Sequence, residues 1–120
     1  MNEQQRQDLG KRTKDFALRI IRLYSALPKT TEAQVIGKQV LRSGTSVGAH
    51  YREARRAKSD ADFISKLEGA LQELDETAYW LELLVESGIV TEEKLKPLLG
   101  ECEELTAMFV TMVRNVKARK

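Results

Sequence analysis

The 120-residue sequence holds one cysteine, one histidine, one tryptophan and two prolines. A lone cysteine, Cys102, cannot close an internal disulfide, in keeping with a reducing compartment. One histidine leaves no ligand set for a transition metal. A carboxylate-bridged di-metal bundle draws on two Glu-x-x-His motifs, and no Cys/His cluster suits zinc. The His50-Tyr51-Arg52-Glu53 run has the two residue types in the reverse order. No apolar run approaches the roughly 18 residues of a membrane-spanning helix. The first eight residues, Met-Asn-Glu-Gln-Gln-Arg-Gln-Asp, lack the apolar stretch of a signal peptide, which predicts a cytoplasmic protein with no membrane partner. Strand-like alternation is missing throughout.

What is present is a heptad. Apolar residues make up 42% and charged residues 32%, enough to build one core of ordinary size and too apolar for disorder. Spacings of three and four recur along nearly the whole chain. The first line reads Leu9, Thr13, Phe16, Ile20, Leu23, Leu27, and the second Ala33, Ile36, Val40, Ser43, Val47, His50, Ala54. The third reads Ile64, Leu67, Leu71, Leu74, Ala78, Leu81, Val85, and the fourth Leu95, Leu98, Cys102, Leu105, Phe109, Met112, Val116. The pattern predicts helices over about 6–27, 32–57, 60–87 and 92–117. Pro28 ends the first, and Thr31 with Gln34 reads as a capping box for the second. Ser59 or Asp60 caps the third, Ser87-Gly88 stops it, and Thr91 followed by Glu92 and Glu93 starts the fourth. Pro97 predicts a kink or a false start there. Short connections force neighbours to fold back, giving an all-α, antiparallel up-down-up-down four-helix bundle in one domain spanning 1–120.

Several features fall outside the core pattern. Gly44 and Gly48 sit in the Arg-Ser-Gly-Thr-Ser-Val-Gly-Ala run from Arg42 to Ala49, each costing about 1 kcal/mol against alanine in a helix. A phosphate-cradling loop is one reading, weakened because no strand precedes it and no Gly-Lys-Ser/Thr follows. Close helix packing explains the glycines better. Charge is uneven. Residues 1–30 carry seven basic and three acidic side chains, 31–59 six and two, 60–90 one and eight, and 91–120 six and five. Lys38, Arg42, Thr45, Ala49, Arg52 and Arg56 form a stripe about 27 Å long on the second helix, flanked by Arg55 and Lys58. Such a stripe can track a phosphate backbone. It can equally be a solvated face paired with Glu68, Asp75 and Glu82 on the third helix. Arg42, beside the glycine crossing, is also placed to pair with Glu53 or Glu73. On outer faces, Leu18 and Ile21 of the first helix and Trp80 and Leu83 of the third, with Tyr79 beside them, point to a second buried surface and so to self-association.

Catalytic readings are weaker. Cys102 lies on a core line, Glu73 and Glu76 read as solvated carboxylates, and His50 reads as a core residue bonded to Glu53 rather than a general base. The expectation is a non-enzyme with no catalytic residues, no metal site and no cofactor.

The stretch from Gly37 through Ala49, then Tyr51-Arg52-Glu53-Ala54, Asp62-Phe63-Ile64-Ser65-Lys66-Leu67, Glu73, Glu76-Thr77 and Tyr79-Trp80-Leu81-Glu82-Leu83-Leu84, resembles the bacterial 23S rRNA intervening-sequence protein family over about residues 12–113. Where the resemblance implies Asn, this chain has His50. The resemblance implies a cytoplasmic four-helix bundle that assembles as a homopentameric ring and is associated with structured RNA loci. A related branch resembles the accessory protein of diversity-generating retroelements, which implies a reverse transcriptase or other RNA-handling protein as partner. The expected function is therefore a non-catalytic oligomeric scaffold associated with nucleic acid, RNA in preference to DNA. The alternatives are a protein–protein adaptor without nucleic-acid binding and a small-ligand or metal bundle.

Overall fold

Three side-chain caps and one glycine help to divide the chain into its elements, and Thr91 precedes the fourth helix without a capping hydrogen bond from its side chain. In the computed structural model, which describes residues 2–119, α1 spans Glu3–Ala26, α2 Thr31–Arg55, α3 Asp60–Glu86 and α4 Glu92–Ala118. The first helix starts earlier than its apolar pattern suggests, because Asn2 and Gln5 form a reciprocal capping box (2.8 and 3.0 Å). Thr30, not Thr31, caps α2 by accepting the Ala33 N–H (3.3 Å). Gln34 instead donates to the Pro28 carbonyl (2.9 Å) and accepts the Tyr24 hydroxyl (3.0 Å), fastening the turn. Ser59 caps α3. At its other end Gly88, at φ 79°, donates to Val85 while Ile89 donates to Leu84, so the last carbonyls are satisfied by a Schellman motif. No break occurs at Pro97: α4 runs through it. Pro97 and Glu93, whose carbonyl loses its helical donor there, are both exposed, so water can take the bond.

Cross-helix contacts fix the directions. Tyr51, near the end of α2, donates to the Arg6 carbonyl at the start of α1 (3.0 Å). Arg42 reaches Glu73 and Glu76 while Lys66 reaches Glu53, so α2 and α3 run oppositely. Lys117 pairs with Glu68, and Arg119 with Asp60, which does the same for α3 and α4. Helix α2 packs most extensively on α3, and α1 and α4 meet least. The rod measures 49 × 22 × 21 Å.

The core departs from the expected lines by single residues. In α2 the buried positions are Ala33, Gly37, Val40, Gly44, Val47, Tyr51 and Ala54, with Ser43 beside them. Gly37 replaces Ile36, and Tyr51 replaces His50. In α3 Leu67, Ala70, Leu74, Thr77, Leu81 and Leu84 are buried, whereas Ile64, Leu71, Ala78 and Val85 are half-buried on the flanks. In α4 Val113 takes the place of Met112. Small side chains lie where backbones come closest, and bulky aliphatics fill the wedges to either side.

Two glycines show how neighbours decide a substitution. A methyl at Gly44 would sit 2.7 Å from Cγ1 of fully buried Ile20, whose branched χ1 cannot swing away. A methyl at Gly100 would meet nothing within 4 Å. Gly44→Ala should therefore destabilise the fold by about 1–3 kcal/mol. Gly100→Ala should stabilise it by up to about 1 kcal/mol through helix propensity. Urea midpoints of both variants check the opposite signs. Equal shifts in one direction would refute the packing argument.

Candidate nucleic-acid and assembly surfaces

The basic side chains of α2 do not form one continuous stripe. Arg42 turns toward α3 and holds Glu73 (3.2 Å) and Glu76 (2.7 Å). Neither Glu53 nor the expected edge of Glu68, Asp75 and Glu82 is its partner, and Glu68 pairs with Lys117 (3.5 Å). Arg55 meets Glu3 of α1 (3.5 Å). Lys38, Arg52, Arg56 and Lys58 are exposed and make no ion pair among the described residues. Internal pairing thus neutralises two of the six candidate bases and leaves four free for a partner.

Folding adds bases that the α2 pattern could not supply. A groove of about 710 Å³ runs between α1 and α2, with Lys11 and Lys14 on one wall and Arg52, Arg55 and Arg56 on the other. Gly48 and Ala49 contribute to its floor. Glu53 is the acidic side chain of the lining, and it is engaged by Lys66 (3.7 Å). Lys11 is held by Asp15 (3.0 Å), whereas Lys14 has no ion-pair partner among the described residues. The excess of bases in residues 1–30 was the signal, but only the α1–α2 register shows which of them join α2.

The titratable groups inside the bundle serve packing. Arg12 forks onto Glu101 (2.6 and 3.1 Å) and reaches Glu104 (3.0 Å), closing the α1–α4 side. The Glu101 hydrogen bond holds its guanidinium above the usual arginine range. Burial pushes the Cys102 thiol up to about 12, so it stays neutral near pH 7 and is a poor nucleophile. His50 is half-buried over Gly69, off the core line. Its Nδ1 lies 3.7 Å from Glu53, beyond hydrogen-bonding distance, and has no hydrogen-bond partner among the described residues. Among the described residues, no group of three or more His, Cys, Asp or Glu side chains could hold a metal ion, and no helix is long and apolar enough to cross a membrane.

The apolar outer residues fall on two faces. Leu18 and Ile21 of α1 are each 42% exposed, and Tyr79 of α3 is 53% exposed. Trp80 and Leu83 are half-buried rather than fully outward. Trp80 packs edge-on against Tyr79 (5.1 Å), and its Nε1 is buried without a hydrogen-bond partner among the described residues. Val35, at 58% exposure, was not singled out by the helix pattern. The register set by Arg42–Glu76 and Ser43–Thr77 places it near Leu83, on the outer side of the α2–α3 pair.

The sequence profile of the 23S rRNA-intervening sequence protein family matches residues 5–111. The chain belongs to this family. A crystal structure of a protein of unknown function from the S23 ribosomal protein family of Bacteroides thetaiotaomicron is 39% identical, with a TM-score of 0.85, and the match covers 91% of this chain and 97% of that one. No curated protein matches. The residues that carry the family resemblance are largely packing residues. Gly44 lies beneath Ile20, and Gly48 lies over Thr13. The Thr77 hydroxyl is within hydrogen-bonding distance of both Ser43 Oγ (2.8 Å) and the Glu73 carbonyl (2.7 Å). Arg42 then covers Glu73, whose side chain is 12% exposed.

Proposed function

We propose that this family member is a non-catalytic, cytoplasmic homo-oligomer, a pentamer, that serves as a scaffold for nucleic acid, RNA in preference to DNA. The observation that carries the reading is the set of uncompensated bases at the α1–α2 groove: Lys14, Arg52 and Arg56 point no charge at a carboxylate of the described chain. Phosphate is the abundant counter-charge for such a face. Leu18, Ile21, Val35 and Tyr79 supply apolar surface for self-association, with Trp80 and Leu83 behind them. A reverse transcriptase or another RNA-handling protein fits as a further partner. Pairing of Arg42 and Arg55 within the chain favours a second reading, an adaptor oligomer that binds protein alone.

Size-exclusion chromatography with light scattering, read at 260 and 280 nm, measures oligomer mass and co-purified nucleic acid together. A mass of five chains is expected, and Trp80→Ala should shift it toward monomer. Fluorescence anisotropy with labelled RNA should show affinity that falls steeply with salt. Reversing Arg52 and Arg56 to Glu should weaken unrelated RNAs about equally, since backbone contacts carry no sequence information. A wild-type monomer at high micromolar concentration would end the assembly half. Binding unchanged by the reversal would hand the site to the adaptor reading.

A further inference from the structure

Nucleic acids offer two kinds of surface to a protein, and this molecule presents chemistry for only one of them. Flexible single strands are held by a positive groove together with aromatic side chains on which successive bases stack, each stack strengthening binding by roughly tenfold. Duplexes hide their base faces and present phosphates along a rigid, regular path, so they are held by cations placed on an equally rigid frame.

The α1–α2 groove has the second chemistry without the first. Four of its five bases sit on two helices of 24 and 25 residues, and the fifth, Arg56, is the C-cap of α2; the spacing of the helices is locked by the Tyr51–Arg6 and Tyr24–Gln34 hydrogen bonds. Tyr51 is the aromatic residue of the lining, and it cannot stack on a base. It is 1% exposed, its ring faces Phe109 at 5.7 Å, and its hydroxyl is committed to Arg6. Phe16 and Phe109 are fully buried, and Tyr24, Phe63 and Trp80 are half-buried in the core packing. Among the described residues Tyr79 is the one aromatic side chain with more than a third of its surface exposed, and it lies on α3 between Asp75, Glu76, Glu82 and Glu86. A strand gripped by Arg52 and Lys14 therefore finds no ring beside them. At the groove floor, Gly48 and Ala49 keep side chains short, which lets a convex backbone ridge settle between the two basic walls.

We propose that the α1–α2 groove binds the sugar–phosphate backbone of a nucleic-acid duplex, gripped by Lys14 on one wall and Arg52 and Arg56 on the other, and does not bind unpaired strands. The inference rests on the nucleic-acid reading above and names the class of ligand for that site. Recognition is by shape and charge, so base-paired RNA of unrelated sequence binds alike.

The test compares one labelled RNA strand, chosen to be unstructured, alone and annealed to its complement, with the DNA duplex of the same sequence as a third probe. Anisotropy titrations use the full chain at one fixed salt concentration. The RNA duplex should bind at least about tenfold tighter than its single strand. Lys14→Glu should weaken duplex binding by about tenfold, because it removes a phosphate contact and adds a repulsion. Lys14 is exposed, so helix content and melting temperature should be unchanged; Lys14→Gln repeats the measurement with a smaller change of charge. The DNA duplex separates shared phosphate chemistry from contacts to the 2′-hydroxyl: binding tighter than that of the RNA single strand supports a backbone site. Equal or tighter binding of the single strand, or a duplex affinity unmoved by both Lys14 variants, would overturn the duplex assignment while leaving nucleic-acid binding intact. Absence of binding to all three probes at low salt would overturn both.

Discussion

Phe109→Ala should lower unfolding free energy by about 3–5 kcal/mol, a large share of the roughly 6–18 kcal/mol that a domain of this size has to lose. Phe109 is fully buried on α4, and its ring stacks on Tyr51 of α2 at 5.7 Å with planes 12° apart. This contact crosses the middle of the bundle and joins two helices that are not neighbours around its rim. Truncation removes the ring's transfer energy and leaves a void bounded by Tyr51, which is tied to Arg6 and cannot follow the lost ring inward. For 120 residues the loss corresponds to roughly 12–20 °C in melting temperature. Phe109→Leu, which refills much of the space, should cost less than half as much. Urea unfolding of both variants at matched protein concentration gives the numbers. A loss below 1 kcal/mol for the alanine variant would mean that the core collapses around the gap.

Alkaline pH should unfold the protein early, and Cys102 should be a principal reason. Burial pushes its thiol from 9.0 up to about 12. Burial also raises the Tyr51 hydroxyl above its usual 10.0. Both groups are neutral when protonated, and both hold that proton more tightly folded than unfolded. Their contribution is therefore complete below about pH 9 and declines as pH rises toward the folded values. For Cys102 the slope is about 1.4 kcal/mol per pH unit, on the order of 4 kcal/mol by pH 12. Cys102→Ala creates a small void and lowers stability at pH 7, yet it should flatten the decline that begins near pH 9. Urea midpoints measured from pH 7 to pH 11 separate these effects. Identical slopes for wild type and Cys102→Ala would show that the thiol ionises in place.

Much of the fold was legible because α1 and α4 have wide apolar faces and α3 has a clear stop at Ser87-Gly88. Along α2 the apolar periodicity departs from the packing where glycine fills a core position. Gly37 has no side chain to register as apolar, so the spacing selects Ile36, and the same one-residue slip selects His50 over Tyr51. The cap at Thr30 was confused with Thr31 because either hydroxyl can precede the helix. At the site, the bases of α2 were readable from spacing, but their fates were not. Whether Arg42 is spent on Glu73 and Glu76 or left free depends on the register between α2 and α3, which no single-helix pattern contains. The same limit hid Lys11 and Lys14: a groove belongs to two helices, and periodicity describes one at a time.

The thin contact between α1 and α4 makes this bundle a scroll with three firm joints and one loose edge, not a closed tube. The Arg12 fork onto Glu101 and Glu104 acts as a clasp on that edge, and beside it Leu9, Met108 and Met112 line an open furrow. Local opening takes the route with the fewest buried contacts, so α4, joined to the rest through α3 and that thin edge, is the element that can lift while α1, α2 and α3 stay packed. Lifting α4 would leave Lys11 and Lys14 beside Arg52 and Arg56, because those walls are joined by the α1–α2 packing. The two walls of the basic groove therefore stay side by side even when the clasp lets go.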